Sequence, residues 1–219
     1  MPDISWVATG CLHGTLPELP AADLALITGD IFPVCNHDLR FQEDWLHSEF
    51  VPWAFRQPVE EMIVVAGNHD FFAQTDRGHD ILSDSGMPFT YLRDESVEML
   101  GLKIHGTPWT PTFFNWAFMA DDDELRLKWD LIPDDTDILV SHGPRINTGD
   151  KVSSGKCAGS VSMGYKMDND LSLKLHVYSH IHEAYGVQVR GVDGSPKSCN
   201  VSHMDLNYNP VNQPIVGVL

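Results

Sequence analysis

The chain has 219 residues, 31 Asp and Glu against 14 Lys and Arg, a formal net charge of -17, 11 His and 4 Cys. That length can bury a substantial core, and 42% hydrophobic with 21% charged residues is a globular composition. The charge argues against polymeric nucleic acid and against anionic membrane surfaces, since both recruit clustered Lys and Arg; it leaves open a small charged ligand held by something other than basic side chains.

Short apolar runs recur along the chain and end in turn residues. Ile4–Ala8 runs into Gly10-Cys11-Leu12-His13, and Leu24–Ile27 into Thr28-Gly29-Asp30. Met62–Ala66 runs into Gly67-Asn68-His69-Asp70, Ile138–Val140 into Ser141-His142-Gly143-Pro144, and Leu175–Tyr178 into Ser179-His180-Ile181-His182. Runs this short and this continuously apolar read as strands covered on both faces. Helices are expected over Gln42–Phe55, Asp121–Trp129 and Val161–Leu173. The second of these has acidic residues in its first turn and Arg126 and Lys128 late, as the helix dipole favours. Strand-rich segments at Leu100–Gly106, Gly186–Arg190, Ser198–His203 and Ile215–Val218 are expected to be partly antiparallel. The expectation is an α/β protein with two sheets flanked by helices, in one domain spanning 1–219.

No stretch approaches the roughly 18–20 apolar residues of a membrane span. Met1-Pro2-Asp3-Ile4 lacks the basic start and apolar run of a signal peptide. Cys11, Cys35, Cys157 and Cys199 are scattered without a CxxC pair, so a reducing, cytoplasmic setting is expected.

The five early strand ends each deliver metal-competent side chains: Cys11, His13, Asp30, Asn68, His69, His142, His180 and His182. Ligands of open α/β sheets gather at the carboxyl ends of strands, so these loops are candidates for one site. Imidazoles with a carboxylate and an amide oxygen suit Mn, Fe, Zn or Ni more than Ca. The donors are too many for one four-coordinate ion and suit two ions sharing a carboxylate, as in two-metal hydrolases.

Cys11-Leu12-His13, Gly29-Asp30, Gly67-Asn68-His69-Asp70, His142 and Ser179-His180-Ile181-His182 stand in the order D-x-H, GD, GNH-D/E, H, G-H-x-H. This resembles the calcineurin-like metallophosphoesterases. Gly106-Thr107-Pro108-Trp109-Thr110-Pro111, Trp116-Ala117-Phe118, Ser141–Pro144, Gly149-Asp150, His182–Gly186 and Asn207–Asn212 are similar to segments of the metallophosphoesterase-domain subfamily, which is like class III cyclic-nucleotide phosphodiesterases. The resemblance implies a four-layer α/β/β/α sandwich and two divalent ions, Mn²⁺, Fe or Zn²⁺. It places position 11, His13, Asp30 and His182 on the first ion and Asp30, Asn68, His142 and His180 on the second. It makes His69 an acid or transition-state stabiliser rather than a ligand, with Asp70 orienting it. It implies hydrolysis of a small phosphodiester, such as a 2′,3′- or 3′,5′-cyclic nucleotide, by metal-activated water.

The chain departs from that pattern at Cys11, where the family has Asp. A thiolate is soft and single-toothed, so Zn²⁺ or Fe tolerates it better than Mn²⁺. Three outcomes follow: Cys11 ligates a softer ion, it stays a thiol on a weakened first site, or only the second ion binds. The last two allow a nucleotide-binding protein with little turnover. Ser179 stands where the pattern has glycine, and Arg145 stands where it has proline, beside the phosphate or facing water. Trp109 and Trp116 are either base-stacking platforms or core. His37, His47, His79, His105, His176 and His203 are read as structural.

Overall fold

The apolar runs form strands because both faces of each strand are covered. The computed structural model describes residues 3–219. In chain order the strands of the first half are β1 (Ser5–Thr9), β2 (Ala22–Thr28), β3 (Val59–Val65) and β4 (Thr90–Tyr91), followed by β5 (Glu95–Met99) and β6 (Leu102–Thr107). Then come β7 (Thr110–Pro111), β8 (Met119–Ala120), β9 (Ile138–Ser141), β10 (Leu175–Tyr178), β11 (Gly186–Arg190), β12 (Pro196–Asn200) and β13 (Ile215–Val218). The helices are α1 (Leu39–Trp45), α2 (Val51–Arg56), α3 (Phe71–Gln74), α4 (Asp76–Leu82), α5 (Asp122–Trp129) and α6 (Val161–Asn169).

The first sheet has the order β13-β1-β2-β3-β4, parallel except for β13, which runs antiparallel to β1. The second has the order β11-β12-β10-β9-β6-β5, parallel from β12 to β6 with antiparallel strands at both edges. Side chains alternate across each strand, so neighbouring apolar residues enter different layers. Leu24, Leu26, Ile63 and Val65 meet Ile138, Val140, Leu175 and Val177 between the sheets. Ala25, Ile27, Met62 and Val64 face Leu46, Phe50 and Trp53 of the first helical layer. Leu139 faces Leu125, Trp129 and Met163 of α5 and α6. The result is the expected α/β/β/α sandwich.

The Gln42–Phe55 helix is longer than expected and irregular. Asp38 caps α1 by accepting from the N–H groups of Arg40 and Phe41, and a π-wound segment, Leu46–Phe50, joins α1 to α2. The Val161 helix stops at Asn169, ahead of Leu173. Ile215–Val218 closes the first sheet, not the second.

Two histidines outside the strand-end loops have a consequence for stability. His105 donates or accepts at Nδ1 with Ser96 Oγ (2.8 Å), and His176 pairs through Nε2 with Ser141 Oγ (2.8 Å); the second nitrogen of each ring is buried without a partner among the described residues. Burial pushes His105 down to about 4 and His176 to about 3. An unfolded histidine takes up its proton near pH 6.5, so acidification below that value favours the unfolded chain until the folded pKa is reached. We expect unfolding free energy to fall from pH 6.5 toward pH 4 by up to about 1.4 kcal/mol per pH unit for each ring. Urea midpoints at pH 7 and 5 test this; equal loss in His176→Gln and in the unsubstituted chain would contradict it.

Candidate metal centre

The loops that follow β1, β2, β3, β9 and β10 meet at one end of the two sheets, and an unusual backbone shapes them. Cys11, His13, Asp30 and His180 all have left-handed φ angles, of 48°, 46°, 53° and 66°. Such angles cost a side-chain-bearing residue roughly 1–2 kcal/mol and persist where the surroundings over-determine them. Here the loops are tied to one another. Cys11 N–H donates to Gly29 C=O and His13 N–H to Asp30 C=O, each at 2.8 Å. Asp30 Oδ1 accepts from the His69 N–H at 2.7 Å. Gly67 leaves the space that two functional groups use, because a Cβ there would lie 2.4 Å from Asp30 Oδ1 and 2.5 Å from His142 Cε1.

The side chains converge on Asp30. Its Oδ2 lies 3.6 Å from His13 Nε2 and 3.3 Å from His142 Nε2. His13 Nε2 is 3.4 Å from His182 Nε2, and His142 Nε2 is 2.9 Å from Asn68 Oδ1. The donor atoms of Cys11, His13 and His182 lie within 4.8 Å of one another, as do those of Cys11, Asp30 and His142. The His180 ring packs 5.0 Å from His142 and lines the same cavity. All seven candidate ligands therefore meet at one place.

Their chemistry fits cations. His142 donates Nδ1–H to the Thr28 carbonyl (2.8 Å), and His182 donates Nδ1–H to the Asp205 carbonyl (2.9 Å). A carbonyl acceptor fixes the tautomer and leaves the Nε2 lone pair for a metal. Burial holds His13 and His180 down to about 3, so both stay neutral donors. Burial opposes charge on Asp30, yet His142 holds its carboxyl well below the usual range. Cys11 is fully buried, and its Sγ accepts the His180 N–H at 3.0 Å; burial and the Asp30 charge push its thiol up. Ser179 is more than a tolerated replacement, since its hydroxyl donates to Thr28 C=O (3.0 Å), the acceptor that also orients His142.

One expectation needs correction, and two open alternatives are decided. Asp70 does not hold the His69 ring. Its carboxylate accepts from the N–H groups of Gly67 (2.7 Å), Phe32 (3.1 Å) and Ile31 (3.2 Å), and so clamps two of the loops together. Arg145 does not line the cavity; it forms a two-pronged pair with Asp168. Trp109 is structural, with Nε1–H donating to Asp94 (2.8 Å) and Lys128 lying 4.4 Å over its ring. The Asp70 assignment yields a prediction. Asp70→Ala leaves three buried N–H groups unpaired and should destabilise the chelator-treated protein by about 2–3 kcal/mol. Denaturant unfolding measures this; unchanged stability with lost turnover would restore the orienting role.

Residues given no site role from the sequence also stand here. His37 Nε2 lies 3.0 Å from His69 Nδ1. Tyr208 sets its ring against His13 (4.9 Å) and His182 (5.3 Å). Lys156, Phe113 and Phe114 line the cavity with Trp116. The signal available for His37 was its place on the loop that carries Asp30, at the same sheet end.

The calcineurin-like phosphoesterase family matches residues 7–184, the span that carries every one of these loops. The chain belongs to the calcineurin-like phosphoesterases. It is similar to metallophosphoesterase domain-containing protein 1 of Homo sapiens and of Mus musculus, each 32% identical over 225 residues, covering 91% of this chain and 65% of the relative. A UPF0046 protein of Caenorhabditis elegans is 29% identical over 247 residues, covering 97% of this chain and 59% of its own. The chain thus spans less than two thirds of the length of these relatives. Membership of the calcineurin-like phosphoesterases implies divalent metal cofactors.

Proposed function

We propose that the protein is a dinuclear metal-dependent phosphodiesterase acting on small nucleotides, such as 2′,3′- or 3′,5′-cyclic nucleotides. The observation that carries this reading is the position of Asp30 Oδ2 between His13 and His142, one carboxylate oxygen facing two donor sets. On this reading Cys11, His13, Asp30 and His182 would hold one ion, and Asp30, Asn68, His142 and His180 the other. Bound there, two divalent ions supply Lewis acidity and an activated water for phosphoester hydrolysis.

The chain's own residues supply the rest. His69 lines the cavity, and its ring sits 4.5 Å from Trp116; this placement supports a hydrogen bond from His69 to a phosphoryl or departing oxygen. The cavity, about 740 Å³, is walled by Trp116, Phe113, Phe114 and Tyr208. Flat aromatic faces favour a planar base. Among the described residues Lys156 is the only lysine or arginine lining the cavity, which suits one phosphodiester charge better than a polyphosphate or a nucleic-acid polymer. No described helix is long and apolar enough to cross a membrane. Cys11, Cys35, Cys157 and Cys199 are all free, which supports a reducing, cytoplasmic setting. We read residues 1–219 as one domain.

The test is hydrolysis by the purified chain with Mn²⁺, Zn²⁺ or Fe²⁺, using a chromogenic phosphodiester, its monoester counterpart and cyclic nucleotides. Metal-dependent turnover of the diesters is expected. Nucleotide binding without turnover under any metal would replace this reading with that of a binding protein.

A further inference from the structure

We infer that His37 is a positioning residue, which donates its Nε2–H to His69 Nδ1 and thereby keeps the His69 proton on Nε2, the nitrogen left to the substrate. The 3.0 Å contact between His37 Nε2 and His69 Nδ1 is the only hydrogen bond of the His69 ring among the described residues. The His69 main chain is independently fixed, with its N–H on Asp30 Oδ1 and its C=O accepting from Gln42 Nε2 at 2.8 Å. The backbone therefore sets where the ring is, and His37 sets which nitrogen carries the proton.

His37 is itself held for this task. Asn36 Oδ1 accepts the Asp38 N–H (2.9 Å), and Asp38 caps α1, so the loop turns at a fixed point just beyond His37. Its ring packs against Phe71 (5.1 Å) and Trp116 (5.3 Å), and Trp116 also backs His69. Asp70, the neighbour whose carboxylate could have served as partner, is occupied by three backbone donors.

A hydrogen bond between two neutral imidazoles needs one N–H and one lone pair. If His37 donates, His69 accepts at Nδ1 and carries its hydrogen at Nε2. If His37 accepts, His69 Nε2 becomes a lone pair and repels oxygen. The oxygens of a phosphoester are acceptors, so only the first arrangement lets His69 stabilise them. The choice between the two rests on the phosphoesterase reading. A carboxylate in the place of His37 can only accept, so it would put a hydrogen on His69 Nδ1 and leave Nε2 a donor only in the charged imidazolium.

The test combines turnover with a direct view of the tautomer. Histidine-selective ¹⁵N NMR is recorded on the full chain with and without Zn²⁺, alongside kcat, KM and metal content. The unsubstituted chain should show His69 protonated at Nε2. His37→Leu should lower kcat about 10- to 100-fold, by analogy with the loss of an outer partner of a metal ligand, with KM and metal content held. His37→Gln, which keeps an N–H donor, should recover most of the loss, whereas His37→Glu should place a hydrogen on Nδ1 and confine any recovered turnover to low pH, where the imidazolium also carries one at Nε2. In a His69→Ala background His37→Leu should have no further effect, since the two act as one unit. A His69 proton on Nδ1 in the unsubstituted chain, or a tautomer and kcat unmoved by His37→Leu, overturns the inference. Absence of turnover in the unsubstituted chain would count against the phosphoesterase reading alone, because the NMR measurement still decides what His37 does to His69.

Discussion

Asp30→Asn is expected to abolish metal-dependent turnover while leaving the fold intact. The side chain keeps its shape, so an amide oxygen at the Oδ1 position still accepts the His69 N–H that Asp30 takes at 2.7 Å. At the Oδ2 position an amide N–H would face His13 Nε2 and His142 Nε2, now 3.6 Å and 3.3 Å from the carboxylate. That substitution puts a donor where both donor sets need a shared anion. Loss of one outer partner of a metal ligand costs about 10- to 100-fold, and loss of a carboxylate common to two ions should exceed the upper figure. The metal-free variant should lose some stability at neutral pH but stay folded, since its surroundings hold the Asp30 carboxyl well below the usual range and that charge favours the folded chain. Metal added to the unsubstituted chain should raise its melting temperature by mass action, and the same metal should leave Asp30→Asn unmoved. A variant that still gains stability from metal would show that Asp30 does not bridge.

The layers of the fold were legible because a single rule decides them. A run such as Leu24-Ala25-Leu26-Ile27 has no polar residue to turn toward water, so it must be covered on both faces, and the alternation of its side chains assigns each residue to a layer. The candidate ligands were legible for a related reason: parallel strands deposit their following loops at one end, and five polar loops followed five apolar runs. What lay off those loops' motifs was not legible. His37 was read as structural, because its contact with His69 joins loops far apart in the chain. Asp70 was misassigned because adjacency in sequence to His69 suggested contact, whereas three converging N–H groups claim its carboxylate. Arg145 was open between two settings until α6 brought Asp168 alongside it. The contacts of His37 with His69, of Asp70 with Ile31 and Phe32, and of Arg145 with Asp168 all join segments distant in sequence, for which local pattern carries no information.

Cys11→Asp is expected to change which metal the protein uses. The thiol is fully buried, and Cys11 Sγ belongs both to the group with His13 and His182 and to the group with Asp30 and His142. It accepts the His180 N–H at 3.0 Å, with Ser202 Oγ at 3.8 Å, so donors already surround the position where negative charge would sit. A sulfur donor favours Zn²⁺, Co²⁺ or Fe²⁺ over Mn²⁺ and Mg²⁺, and a carboxylate reverses that preference. Asp is also among the few residues that accept the left-handed backbone of Cys11, φ 48°. The unsubstituted chain should therefore show a sulfur-to-cobalt charge-transfer band when loaded with Co²⁺, and Cys11→Asp should lose it. In competition for a limiting supply, the variant should retain more Mn²⁺, and its Mn²⁺-dependent turnover should rise. Elemental analysis and the optical spectrum read this without relying on catalysis. A spectrum without the band in the unsubstituted chain, together with metal content and rate unchanged in Cys11→Asp, would place Cys11 outside the coordination shell. The ion would then be held on that side by His13, Asp30 and His182 alone, a three-ligand set that still leaves open positions for water and substrate.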